Sequence, residues 1–185
     1  MKNSIRITGG ILKGKNIPFD YKSTLRPTSS KLREILFNWL QFEISNYSCL
    51  DVFAGTGALG IEALSRGAKK AVFIEINKKN YLSIKSSLKK LKLDDTSMIL
   101  FKDSLIWIKK NDLSIFNLIF LDPPFNEDFE GKTLQILSNN KSLRPSCKIY
   151  LEHNKFSTIE IPSSLKILKE KIVGDVKAIL LSNED

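Results

Sequence analysis

The sequence predicts an α/β fold: a seven-stranded, mostly parallel sheet with an antiparallel last strand, preceded by an N-terminal β-hairpin and a helix. Three observations carry this expectation. From residue 48 onward, short apolar runs alternate with segments of helical periodicity, the pattern of a parallel sheet covered on both faces. The first run enters its helix through a glycine loop, Asp51-Val52-Phe53-Ala54-Gly55-Thr56-Gly57-Ala58-Leu59-Gly60. At the far end, residues 165–173 and 176–181 form two apolar strands joined by Gly174-Asp175, a two-residue hairpin turn.

The elements follow in order. Ile5, Ile7, Ile11 and Ile17 are set around Gly9-Gly10 and Lys13-Gly14, which reads as a hairpin of short strands. Residues 20–27 are a polar linker ending in Arg26-Pro27. A helix begins there, with Thr28 or Ser29 as N-cap and an apolar face of Leu32, Ile35, Leu36, Trp39 and Leu40. Strands are expected near 49–53, 71–75, 98–102, 117–121 and 147–152. Helices are expected near 58–66, 78–92, 104–111 and 131–139. Gly67 after Arg66 stops the first of these helices. Tyr81, Ile84, Leu88 and Leu91 form the inner stripe of the second, whose lysines make a solvated outer face. The chain is one domain: an N-terminal extension over 1–27 and a catalytic core over 28–185.

Composition narrows the function classes. With 185 residues, 42% hydrophobic and 26% charged, the chain has the make-up of a globular domain with a sizeable core. No apolar run approaches the roughly 18 residues of a membrane span, and Arg6 with Gly9-Gly10 interrupts any signal-peptide pattern. Cys49 and Cys147 fall in expected buried strands without metal-ligand spacing. They read as reduced core thiols, which points to the cytoplasm and to no metal. The formal net charge is +9, and residues 1–33 carry most of it: eight basic residues against one acid, Asp20. A nearly neutral body with a basic leading segment suggests a polyanionic partner, with Arg6, Lys13, Lys15 and Arg26 as its contacts.

Two loops carry the chemistry. Asp122-Pro123-Pro124-Phe125 follows the buried run Asn117-Leu118-Ile119-Phe120-Leu121, so it emerges at the carboxyl edge of a strand, where open α/β sheets bind ligands. Proline lacks an N–H, so the loop offers carbonyl acceptors with few competing donors. Asp122 and the Pro123 carbonyl suit an NH₂ group, and Phe125 suits the planar ring that bears it. In the other loop, Gly55 and Gly57 allow a ligand close to the backbone. Glu75, twenty residues on, stands where an acid binds ribose hydroxyls. Asp103 is placed to accept an adenine amino group, to cap the following helix, or both. The Gly55-x-Gly57-x-x-Gly60 spacing alone leaves NAD and S-adenosylmethionine open. The Asp-Pro-Pro-Phe loop and the terminal hairpin favour S-adenosylmethionine. The lone His153 reads as a surface or packing residue.

On these motifs the chain resembles the bacterial 16S rRNA (guanine(966)-N(2))-methyltransferase family, the RsmD type. The resemblance runs through Arg6-Ile7-Thr8-Gly9-Gly10, Leu25-Arg26-Pro27-Thr28, Arg33 to Leu40, Cys49 to Arg66, Asp122 to Phe125 and Lys169 to Gly174. It implies a Rossmann-like class I methyltransferase fold and S-adenosylmethionine as cofactor. It implies methylation of one guanine N2 in 16S rRNA, with the assembled small subunit as substrate; apart from the resemblance, the chain is expected to act as a monomer. Asp122, Pro123 and Phe125 would be catalytic. Asp51, Phe53, Gly55, Thr56, Gly57, Glu75, Ile76 and Asp103 would hold the cofactor. Arg6, Lys13, Lys15, Arg26 and Thr28 would meet RNA. Two alternatives stay open: transfer to adenine N6 or a protein glutamine, and a non-catalytic RNA-binding assembly factor.

Overall fold

In the computed structural model, residues 3–19, 28–124 and 129–184 are described. Strands β1 (Asn3–Arg6) and β2 (Asn16–Phe19) pair antiparallel as the expected N-terminal hairpin. Helix α1 (Ser30–Trp39) follows. Its N-cap is Ser29, whose hydroxyl takes the Leu32 N–H at 3.2 Å. The alternating region gives β3 (Ser48–Asp51), α2 (Ala58–Ser65), β4 (Lys70–Glu75), α3 (Lys78–Leu91), β5 (Ser97–Phe101), α4 (Ser104–Lys110), β6 (Leu118–Leu121), α5 (Phe129–Ser138) and β7 (Lys148–Asn154). The terminal hairpin is β8 (Leu165–Val173) and β9 (Val176–Asn183), turning at Gly174-Asp175.

The main sheet has seven strands in the order β5-β4-β3-β6-β7-β9-β8. The five strands from β5 to β7 are parallel, and β9 runs antiparallel between β7 and β8. The order reverses between β3 and β6, and the carboxyl ends on either side of that reversal frame the crevice where such sheets bind ligands. This is the expected Rossmann-like fold with its antiparallel last strand. Among the described residues, no helix is long and apolar enough to cross a membrane.

Two cores fill the two faces. One gathers Leu50, Ile119, Leu121, Ile149, Leu151, Leu134 and Leu137 under α4 and α5. The other gathers Phe73, Phe120, Tyr150 and Leu180 with α1, α2, α3 and the N-terminal hairpin. Every residue of α2 is buried, because the sheet covers one side and the leading segment the other. An all-round apolar helix such as Ala-Leu-Gly-Ile-Glu-Ala-Leu-Ser requires that second cover. Ile5, Ile7, Leu12 and Ile17 provide it. Backbone bonds fix the contact: Ile11 N–H reaches the Ser65 carbonyl at 2.7 Å, and Leu12 N–H the Ser65 hydroxyl at 3.0 Å.

Two details differ from the sequence reading, and a third decides between alternatives it left open. The buried face of α1 is Leu32, Arg33, Leu36 and Phe37, with Ile35 and Trp39 only half-buried. The helix turns toward Phe37, which packs edge-on against Phe120 at 6.3 Å, and toward Arg33, whose charge is met inside. His153 lies within β7 and is buried, so it is a packing residue and not a surface one. Arg33, counted above with the basic leading segment, is 2% exposed and contributes nothing to the surface charge.

Candidate active site

The glycine loop leaves β3 at Asp51 and enters α2 at Gly57. Gly55 and Gly57 have φ of 54° and 77°, a left-handed backbone that L side chains rarely adopt. The turn is closed by Gly57 N–H on the Ala54 carbonyl at 2.6 Å, and Thr56 at its tip is buried. Gly60 has a different task. A Cβ there would stand 2.2 Å from Cε1 of Phe73, so the missing side chain lets α2 lie close on β4. Asp51 is buried beneath the loop and accepts the Gly60 N–H at 3.2 Å. Burial, opposed by that bond and reinforced by the charges of Asp122 and Glu75, pushes its carboxyl up to about 7.

Glu75 ends β4, buried, facing the loop. One oxygen accepts the Gly55 N–H at 2.8 Å and the other the Asn77 N–H at 2.6 Å. Its carboxyl is raised by burial, against the pull of these backbone donors. The Asn80 side chain and the Ile76 N–H bear on the same carboxylate. Ile76 stands exposed beside it, an apolar face at the same strand edge. Asp103 caps α4, with Oδ1 on the Ile106 N–H at 2.9 Å. Oδ2 is the oxygen that an adenine amino group would use. The Phe53 ring packs against Phe129 at 5.7 Å. Glycine loop, paired acceptor and flanking apolar faces lie along one edge of the sheet, and this donor and acceptor set fits a nucleoside with a polar tail.

At the neighbouring carboxyl edge, Asp122 is half-buried and Pro123 buried. The Thr28 hydroxyl donates to Asp122 Oδ2 at 2.7 Å. Burial pushes the Asp122 carboxyl up to about 6, held back by that bond and raised further by Glu130. Its carboxyl stands at the crevice as a hydrogen-bond acceptor, with Oδ2 held by Thr28. Phe125 and Arg26 lie outside the described residues.

A buried ionic cluster beneath Asp122 was not foreseen. The Arg33 guanidinium donates to the Thr28 carbonyl at 2.6 Å and to the Arg6 carbonyl at 2.8 Å, and its Nε lies 3.5 Å from Glu62. Glu62 also accepts the Thr8 N–H and hydroxyl, and Arg66 pairs with it at 3.1 Å. One buried arginine thus ties the hairpin, the start of α1 and α2 to the residue that bonds Asp122. Glu152 lies on β7 directly beside Asp122, since β6 and β7 pair in parallel at Leu121 and Leu151. The sequence signal for this cluster was a charge inside an apolar pattern: Arg33 beside Leu32 and Leu36, and Glu152 after Ile149-Tyr150-Leu151.

The RNA-facing set divides. Arg6, Lys13 and Lys15 are exposed on the hairpin. Thr28 is buried, with its hydroxyl on Asp122. The Gly9–Leu12 turn packs on the last residues of α2, so Lys13 and Lys15 lie near the helix end remote from the glycine loop. The length of α2 separates those ends, roughly 12 Å. Cys49 and Cys147 are buried, and burial pushes Cys147 up to about 12 and Cys49 higher still. Neither serves as a nucleophile.

Known proteins place these features in context. The family described as Conserved hypothetical protein 95 matches residues 5–182. Ribosomal RNA small subunit methyltransferase D of Buchnera aphidicola (subsp. Acyrthosiphon pisum) is 39% identical over 180 residues, covering 97% of this chain and 94% of its own. The solved structure of Escherichia coli yhhF superposes with a TM-score of 0.87 at 32% identity, covering 98% of this chain and 99% of its own. An RNA methyltransferase of Salinibacter ruber, solved with S-adenosyl-L-homocysteine, shares the fold. Its TM-score is 0.65 at 15% identity, covering 86% of this chain and 95% of its own.

Proposed function

Because this chain belongs to the family described as Conserved hypothetical protein 95, we propose that it is an S-adenosylmethionine-dependent rRNA methyltransferase whose acceptor is the exocyclic N2 of one guanine in 16S rRNA. The observation that carries the reading is Asp122, a carboxyl oriented by Thr28 at the carboxyl edge of β6, one strand from the glycine loop. The full-length likeness to a ribosomal RNA small subunit methyltransferase D supports rRNA as the substrate.

When bound, S-adenosylmethionine supplies an electrophilic methyl group. The chain's own residues do the rest. Gly55, Thr56 and Gly57 make room for the methionine end, Glu75 holds the ribose, and Ile76 and Asp103 serve the adenine. The guanine N2 lone pair is delocalised into the ring, so the amine must be turned until that density faces the methyl carbon. Asp122 and the Pro123 carbonyl accept the two N–H bonds and hold that orientation. As the new N–C bond forms and the C–S bond breaks, the electron pair stays on sulfur. The nitrogen then loses one proton, which Asp122 takes. Phe125 replaces the stacking that the unstacked base gives up, worth roughly 1–3 kcal/mol. The assembled small subunit in the cytoplasm is the proposed setting, with the chain acting as a monomer without metal.

The test is tritium transfer from labelled S-adenosylmethionine to small subunits lacking the modification, with naked 16S rRNA alongside and the product nucleoside identified. N2-methylguanosine is expected. Asp122→Ala should abolish transfer while calorimetric cofactor affinity changes little. A methylated adenine or protein glutamine would overturn the guanine assignment. Near-normal single-turnover rates in Asp122→Ala would remove Asp122 from the mechanism.

A further inference from the structure

We infer that the Phe156 ring is a stacking platform for an RNA base flanking the target guanine, held at the rim of the crevice by Lys155 and the tip of the terminal hairpin. The inference rests on the proposed function for its partner, rRNA, and on the turn after β7 for its geometry.

Strands β6 and β7 are parallel and pair at Leu121 and Leu151, so both leave the sheet at its carboxyl edge. The loop that carries Asp122 follows β6, and the turn that carries Phe156 follows β7. Phe156 stands four residues beyond Glu152, the neighbour of Asp122 in register. Strands lie about 4.8 Å apart and extended chain advances at most about 3.6 Å per residue, so the two Cα atoms are within roughly 20 Å. That is a span of a few nucleotides.

The turn is built to present the ring. Asn154 Oδ1 accepts the Phe156 N–H at 3.0 Å, and the Asn154 carbonyl accepts the Ser157 N–H at 2.9 Å. The Lys155 N–H reaches the Asp175 carbonyl at 2.9 Å, which ties the turn to the β8–β9 hairpin. The Lys155 ammonium donates to the Gly174 carbonyl and pairs with Asp175 Oδ1, both at 3.1 Å. From that anchored position it lies 4.6 Å from the centre of the Phe156 ring. A cation over one face steadies the ring. Among the described residues no second ring or cation covers the other face, and Phe156 is 78% exposed.

A lone exposed apolar side chain is ordinary. Phe42 is one: it is 90% exposed, between α1 and β3, at the opposite edge of the sheet. Phe156 differs in standing at the reactive edge on a turn fixed from both sides. The chemistry there calls for such a ring. A guanine drawn out of its stack leaves the next base with a bare face, and an aromatic side chain restores the lost contact whatever that base is. The charge of Lys155 is met by Asp175, so the platform supplies stacking and little net charge. It therefore complements the lysines of the N-terminal hairpin rather than repeating them.

The experiment measures binding and methylation of small subunits lacking the modification, with the full chain and four variants. Phe156→Ala and Phe156→Leu should weaken small-subunit binding by roughly fivefold to a hundredfold, the scale of one lost base–aromatic stack. The loss should fall on KM with kcat little changed, because the flanking base is held alike before and during transfer. Phe156→Trp should stay within roughly threefold of wild type, and so should Phe42→Ala. The log–log salt slope should be unchanged in Phe156→Ala, since no phosphate contact is removed. A photoreactive phenylalanine analogue at position 156 should cross-link to 16S rRNA. Normal KM in both Phe156→Ala and Phe156→Leu would overturn the inference. So would full retention in Phe156→Leu alone, which would make apolar area and not stacking the cause. Cross-links confined to a ribosomal protein or to a second copy of the chain would overturn it as well. Wild type that binds small subunits through Phe156 yet transfers no methyl group to guanine N2 would instead sink the proposed function and leave the platform standing.

Discussion

Asp51 gives the sharpest quantitative expectation. It is buried beneath the glycine loop, and its carboxyl is pushed from 3.8 up to about 7, mainly by burial. In the unfolded chain the same group ionises at its ordinary value. Between those two values the folded state binds the proton and the unfolded state does not. The stability Asp51 contributes is therefore fully present below about pH 4 and is lost as pH rises through about 7, at about 1.4 kcal/mol per unit. The difference between 3.8 and about 7 sets an upper limit of about 4 kcal/mol. Asp51→Asn mimics the protonated carboxyl and can still accept the Gly60 N–H. The variant should match wild type near about pH 4 and exceed it near about pH 8, by roughly 1–4 kcal/mol. Denaturant midpoints at both pH values, with the slope of the transition checked for constancy, measure this difference directly. Glu75, Asp122 and Glu152 are also raised, so wild type and variant must be compared at each pH. Parallel pH–stability curves, or a variant weaker than wild type at the higher pH, would refute the reasoning.

Other expectations are shorter to state. Gly60→Ala places a methyl group 2.2 Å from the ring of Phe73, which should destabilise by roughly 1–3 kcal/mol and weaken cofactor binding through the displaced loop; thermal melts and calorimetry read the two effects. Glu75→Ala should weaken S-adenosylmethionine binding by roughly tenfold to a hundredfold, since its carboxylate accepts the Gly55 N–H and is proposed to hold the ribose, while NAD should not bind wild type; NAD binding without S-adenosylmethionine binding would discard the pocket reading. Replacing Lys13 and Lys15 together by Ala should weaken small-subunit binding and flatten the log–log salt dependence by roughly one to two, with cofactor affinity unchanged. An unchanged salt slope would mean that this charge is compositional and that RNA is held elsewhere.

Much of this protein was determined by local sequence. The alternation of apolar runs and helical stripes specified β3 to β7 and their helices, because a strand buried on both faces and an amphipathic helix each leave their own period in the chain. Gly174-Asp175 specified the terminal hairpin, since a two-residue turn fixes its own geometry. Gly55, Gly57, Glu75 and Asp122 were legible because their spacing places them at strand ends, and strand ends need only local information. What tertiary structure alone decided are the long-range partners. Nothing near Thr28 in sequence indicates that its hydroxyl meets Asp122, 94 residues away. Nothing near Arg33 indicates that it spends its charge inside, on Glu62 and two carbonyls, rather than on a polyanion. The leading segment read as a basic extension, yet its isoleucines cover α2 and its turn bonds Ser65. Burial is a property of what packs against a residue, and the chain does not state that locally. The same holds for Glu152: an acid in an apolar strand is visible in the sequence, but its place beside Asp122 follows from the pairing of β6 with β7.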